Sequence, residues 1–234
     1  MELSLELEKR VKAGINFRSL HMEVRKAEKT EDDTYIVEGY ATTFDDPYIL
    51  YEWEDSGEKV RILEQVDKEA FKECDLSDVI MQYDHQGRVY ARTGNGTLEL
   101  IQDNHGLLVR ANLGGTSEGK KLYEEIKGGY TTKMSFGFTI KDEERLEKRA
   151  DDGAIEILYT IKSIGKLYDV SAVSLPANDG TEISARTRFD AEVEKRKAEA
   201  EKQKEATQKQ DEERAKEKEL KERERLSLEL SFSL

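Results

Sequence analysis

Gly128-Gly129-Tyr130-Thr131-Thr132-Lys133-Met134-Ser135-Phe136-Gly137-Phe138 is a glycine turn that leads into a strand. Successive strand side chains point to opposite faces, so Met134, Phe136 and Phe138 share one side and Ser135 and Gly137 the other. One side of this strand belongs to an apolar core. The other carries a small hydroxyl beside a residue with no side chain, which leaves room for a substrate. A serine nucleophile needs a neighbouring base to take its proton and backbone N–H donors for the developing oxyanion. On its own the pattern also fits an ordinary strand serine, and it is not the Gly-x-Ser-x-Gly elbow of α/β-hydrolases.

Short alternating runs of the same kind, punctuated by Gly, Asn and Asp, extend from about Ile15 to Ser184. Tyr35 to Thr42 reads as a strand, and Thr97 to Leu100 with Leu107 to Leu113 as a hairpin across Asp103-Asn104-His105-Gly106. Two late strands are expected at Ile155 to Ile164 and Asp169 to Ser174. Helices are fewer: a short one over Asp67 to Glu73, and an amphipathic one over Glu118 to Lys127, where Leu122 and Ile126 stand at i, i+4 spacing before Gly128-Gly129. These elements predict an α+β class: a β-rich, barrel-like core, closed or nearly so, with flanking helices and then a long charged C-terminal helix.

That last helix follows from an abrupt change of composition. From Asp190 to Arg225 the chain has 13 acidic and 12 basic residues and no glycine or proline. The residue types favour helix, and interleaved signs supply i, i+4 ion pairs of about 0.2–0.5 kcal/mol each. Val193, Ala200 and Leu220 are too sparse for sustained heptads, so a solvated single helix is the expected form rather than a coiled coil. The domain plan is an N-terminal arm over 1–14, one folded domain over 15–189, and a charged, scaffold-like tail over 190–234. Leu3-Ser4-Leu5-Glu6-Leu7 recurs as Leu226-Ser227-Leu228-Glu229-Leu230, and the alternation in each copy is compatible with a short strand or with coincidence.

The 234 residues suit one buried domain plus an appendage. A formal net charge of −13 excludes a general nucleic-acid binder, because neutralising phosphates takes a basic surface. Protein partners fit better. One cysteine, Cys74, and three histidines exclude an internal disulfide and a Cys/His metal cluster, and no cofactor or metal site is expected. Cys74 reads as a half-buried thiol in a reducing compartment. The sequence has no basic segment followed by an apolar run and no run of about 18 apolar residues, so neither export by a signal peptide nor a membrane span is expected.

Two further segments bear on chemistry. In Val79-Ile80-Met81-Gln82-Tyr83-Asp84-His85-Gln86 an apolar strand delivers a histidine into a turn, where a base is rigid yet accessible. In Ile164 to Asn178 a strand is entered through Gly165 and closed by Pro176, and Asp169 and Ser171 share a face. An acid there points where Ser135 points if the two strands are neighbours. A lone histidine is more often structural than catalytic, and Asp169 alone could cap a turn.

The three segments, in this order, resemble the prohead (capsid maturation) proteases of tailed bacteriophages, a family distantly similar in fold to the herpesvirus assemblin proteases. The resemblance covers about Asn16 to Arg186. It is carried by Val37-Glu38-Gly39-Tyr40-Ala41, the His85 segment, Gly106-Leu107, Met134 to Phe138, and Asp169 to Asn178. Lys68-Glu69-Ala70-Phe71 and Gln86 to Arg92 depart from the family pattern. The resemblance implies His85 as general base, Ser135 as nucleophile and an acidic residue that orients the histidine, for which Asp169 is the candidate and Glu156 the reserve. No histidine follows Ser135 to act as a third member, His105 is expected to be exposed, and His21 is given no role. The resemblance further implies a serine endopeptidase acting on the scaffolding segment of the major capsid protein, and on itself, inside the immature phage capsid in the host bacterial cytoplasm. A homodimer is expected by analogy, and neither nucleic acid nor membrane is an expected partner. Two other readings stay open: a non-catalytic capsid scaffold on a protease-like fold, and an unrelated β-rich enzyme in which His85 and Ser135 lie far apart.

Overall fold

The structure is a computed structural model that describes residues 5–23, 25–26, 35–174 and 179–231. It is α+β, with about 49% strand and 26% helix. Helix α1 (Leu5–Lys12) precedes strands β1 (Asn16–Glu23), β2 (Arg25–Lys26), β3 (Ile36–Thr43), β4 (Tyr48–Asp55), β5 (Glu58–Val66), β6 (Ile80–Tyr83), β7 (Gln86–Arg92), β8 (Leu98–Gln102) and β9 (Gly106–Asn112). Helix α2 (Ser117–Lys127), strands β10 (Lys133–Arg149) and β11 (Ile155–Val173), and helix α3 (Asp179–Ser231) complete the order.

The strands form two sheets. One runs β1-β10-β11-β5-β4, with β6 joined to β11 and β7 to β6, and the other runs β2-β3-β9-β8. Of the closed or nearly closed barrel expected from the sequence, the closed form is corrected here, because among the described residues neither sheet closes on itself. The reason lies in β11. The two late strands expected there are one 19-residue strand that changes partner along its length. Ile155–Ile161 runs parallel to β5, and Asp169–Ala172 runs parallel to β6. The opposing ladder with β10 absorbs this change in several register shifts between Gly137 and Glu143.

Period two governs the packing as the sequence predicts. Met134, Phe136 and Phe138 of β10, Val170 and Ala172 of β11, and Met81 of β6 point into one core with Val37, Ala41, Leu107 and Val109 of the second sheet. Phe136 and Phe138 stack with ring centroids 4.5 Å apart, and burying each such ring contributes roughly 1.5–3 kcal/mol. Helix α2 covers this core with Leu122, Tyr123 and Ile126, and its N-terminus is capped by Thr116, which accepts from the Gly119 amide.

One local expectation fails, and of the two readings of the repeated ends the short strand is set aside. Asp67 to Glu73 forms successive turns rather than a helix, because Asp67 draws the Glu69 amide to its side chain and the Ala70 amide to its carbonyl. The repeated Leu-Ser-Leu-Glu-Leu ends are helical where described: Leu5 to Leu7 opens α1 and Leu226 to Leu230 lies in α3, while Leu3 and Ser4 are outside the described residues. Alternation over five residues is too short a signal against helix-favouring neighbours.

The chain divides into compact units 1–187 and 188–234. The second consists largely of α3, whose described side chains from Glu194 onward are nearly all exposed, with Lys197 paired to Glu194. Among the described residues no helix is long and apolar enough to cross a membrane.

Candidate active site

The other face of the large sheet holds the polar residues. Ser135 of β10 pairs with Ser171 of β11, Gly137 with Asp169, and Gln82 of β6 lies beside Ser171. On the far side, Phe17 of β1 pairs with Gly137. Ser135, Asp169 and Ser171 are completely buried.

His85 reaches this face from a tight hairpin. Tyr83 of β6 pairs with Gln86 of β7, so Asp84 and His85 are the two turn residues, with φ of 47° and 57°. A two-residue turn with both φ positive matches the twist of antiparallel strands, and Asp and His tolerate that conformation better than most non-glycine residues. Asp84 secures the turn. Its amide donates to the Ala172 carbonyl at 3.0 Å, and its carboxylate accepts from the amide and hydroxyl of Ser174. The hairpin tip is thereby tied to the end of the strand that carries Asp169. Backbone strain of this kind persists where surrounding contacts over-determine it, and here it aims one imidazole.

His85 Nε2 lies 2.6 Å from Ser135 Oγ, and its Nδ1 is hydrogen-bonded to Asp169 Oδ1. The edge of the Phe17 ring packs against the imidazole with centroids 4.6 Å apart. Burial works to raise the Asp169 pKa, but the adjoining His85 and Arg10 outweigh it and hold the carboxyl below the usual carboxylate range. An ionised Asp169 places the imidazole proton on Nδ1 and leaves Nε2 to accept from the serine hydroxyl. Ser135 Oγ also stands 2.8 Å from the backbone oxygen of Arg18, a second acceptor for its one proton.

The structure thus brings together His85, Ser135 and Asp169 and leaves the other candidates elsewhere. Glu156 lies near the start of β11, facing Arg61 and Lys148. His105 sits in the β8–β9 turn, edge-on to Tyr40, and the His21 side chain lies outside the described residues. The room expected beside Gly137 is not free, because a Cβ there would meet Asp169 Oδ2 at 2.6 Å and Phe17 Cε1 at 2.8 Å. Nor are the β10 amides that flank Ser135 available as oxyanion donors, since β10 is paired on both sides there. The reading in which His85 and Ser135 lie far apart is removed by their contact.

Several contributors escaped sequence reasoning. Arg10, on the supposed N-terminal arm, bonds Asp169 Oδ2 and donates to the His85 carbonyl at 3.1 Å. The Ser171 hydroxyl donates to Asp169 Oδ1 at 3.1 Å, which its shared face with Asp169 foreshadowed. On the opposite side of β1, Arg18 is bound to Glu64 in a fully buried pair, and Tyr48 donates to the same carboxylate at 2.5 Å.

No curated protein and no solved structure matches the chain. A sequence model described as caudovirus prohead serine protease matches residues 21–196, a span that includes all three segments and most of the folded unit. The chain therefore belongs to the caudovirus prohead serine proteases, a family of hydrolases that act in bacteriophage capsid maturation.

Proposed function

We propose that the chain is a serine endopeptidase in which Ser135 is the nucleophile, His85 the general base and then acid, and Asp169 the group that orients the imidazole. The observation that carries this reading is the 2.6 Å contact of His85 Nε2 with Ser135 Oγ, with Asp169 on the other ring nitrogen. Ser135 Oγ attacks the peptide carbonyl while Nε2 takes its proton, and Asp169 stabilises the imidazolium. Nε2 then protonates the leaving amine. Water hydrolyses the acyl-serine by the same relay in reverse. With Ser135 and His85 both buried, a peptide reaches them only after the chain covering them moves.

The substrates in this proposal are the scaffolding segment of the major capsid protein, inside the immature capsid, and the protease chain itself. Family membership supports the capsid substrate. The charged segment from Asp190 onward is proposed as the part that carries the enzyme into the assembling shell. The test is co-expression with the major capsid protein of the same phage, followed by intact mass over time. Wild type shortens the capsid protein, and Ser135→Ala leaves it whole. Capsid assembly and capsid-protein mass that are identical with both chains would favour a non-catalytic scaffold instead.

A further inference from the structure

Asp169 is completely buried and has two basic side chains beside it, one on each oxygen. Oδ1 faces His85 Nδ1 and accepts from Ser171, and Oδ2 is bound by Arg10. The same guanidinium donates through Nη1 to the His85 backbone oxygen at 3.1 Å and lies 3.4 Å from Gln82 Oε1. It also stands 5.1 Å from the centre of the Phe17 ring, whose edge packs on the imidazole. One side chain therefore contacts the acid, the backbone of the base, and the aromatic ring beside the base.

A carboxylate buried without compensation would attract a proton to the imidazole strongly enough to keep it there, and a protonated imidazole cannot accept the serine proton. We infer that Arg10 is a positioning residue for the proteolytic reaction: its charge on Oδ2 offsets part of the Asp169 charge and its second nitrogen holds the His85 backbone, so that the imidazole is kept in place yet can accept the serine proton. This rests on the reading of Ser135 and His85 as nucleophile and base.

Among the described residues, the remaining surroundings of the imidazole do not supply this compensation. From β10 it faces the neutral Ser135 and from β1 the Phe17 ring, while the neutral Gln82 of β6 is engaged with Arg10 and the Gly87 carbonyl. Asp84, its neighbour in the turn, is engaged with Ser174. Arg18 and Glu64, on the other side of the sheet, are bound to each other. The fork of Arg10 also fixes geometry that a point charge cannot, because two separate nitrogens reach Asp169 and the His85 carbonyl.

The test uses the full chain and its three histidines, followed by imidazole NMR across pH, with His85→Gln to assign the signal. In Arg10→Met the His85 titration midpoint moves up by about one pH unit, and the acid limb of kcat for capsid-protein cleavage moves up with it while KM changes little. Arg10→Lys keeps the charge, so its midpoint stays near wild type even where the lost fork lowers kcat. If Arg10→Met does not fold, Arg10→Gln, which retains hydrogen-bond donors, is expected to show the same upward movement. A folded, uncharged variant whose His85 midpoint equals that of wild type overturns the inference. Cleavage that survives Ser135→Ala would instead overturn the nucleophile assignment, whatever the NMR shows, so the two failures are told apart.

Discussion

Gly137 of β10 stands directly opposite Asp169 of β11, and a Cβ at Gly137 would come within 2.6 Å of the Asp169 Oδ2 atom. The glycine is the space that the acid occupies. Gly137→Ala therefore displaces the carboxylate from His85 and Arg10, or forces Phe17 off the imidazole. Because misplacement by about 1 Å costs up to roughly 100-fold in rate, capsid-protein cleavage by Gly137→Ala is expected to fall by about that factor. Steady-state kinetics beside a thermal melt check this, and a variant as active as wild type would show that Asp169 need not sit there.

The Asp169 carboxylate, held below the usual range by His85 and Arg10 against its burial, gives the protein a pH-dependent part of its stability. For a group whose folded pKa is depressed, that contribution is complete above the unfolded carboxylate pKa and is lost as pH falls through the folded one. Asp169→Asn is therefore expected to melt below wild type at neutral pH, with the gap narrowing as the medium is made acidic. Melting temperatures of both chains from neutral pH down through the carboxylate range test it. A gap that stays constant into acid would contradict it.

Arg18 and Glu64, buried on the opposite face of the sheet, link β1 to β5 across β10 and β11. Removing one member leaves a buried charge uncompensated, so Glu64→Leu should destabilise the fold by about 3–5 kcal/mol, whereas Arg18→Met with Glu64→Leu should lose much less. Chemical denaturation of the two variants distinguishes these values. Equal losses would mean that the uncompensated Arg18 charge is not what destabilises Glu64→Leu.

How much of this site could be read from the sequence depended on the range of the signal. Alternation placed Ser135 and Gly137 on one face and Asp169 with Ser171 on another, and the observed registers put those faces side by side. The turn residues around His85 likewise indicated a strand end. Arg10 was not legible, because one arginine among the charged residues of a short helix has no local pattern that names a partner 159 positions away. The continuity of β11 was hidden by Gly165, which read as an entry point although the strand passes through it. The expected closed barrel is absent for a related reason: exchange of β5 for β6 along one strand is a long-range pairing choice that no local periodicity records.

Cys74 tests the reading of an inert thiol. Burial pushes its pKa up to about 11, so at pH 8 roughly one thiol in a thousand is ionised, and the thiolate is the reactive form. Ellman's reagent should label native protein slowly and unfolded protein at the ordinary rate. Fast labelling of the native chain would contradict the burial.

Activation of Ser135 by His85 is tested by prolonged incubation with a small fluorophosphonate and mapping of the adduct by peptide mass. One phosphonyl adduct is expected, on Ser135, absent from Ser135→Ala and strongly reduced in His85→Gln while both variants stay folded. A chain that cleaves the capsid protein but carries its adduct on another residue, or labels equally well without His85, would contradict it.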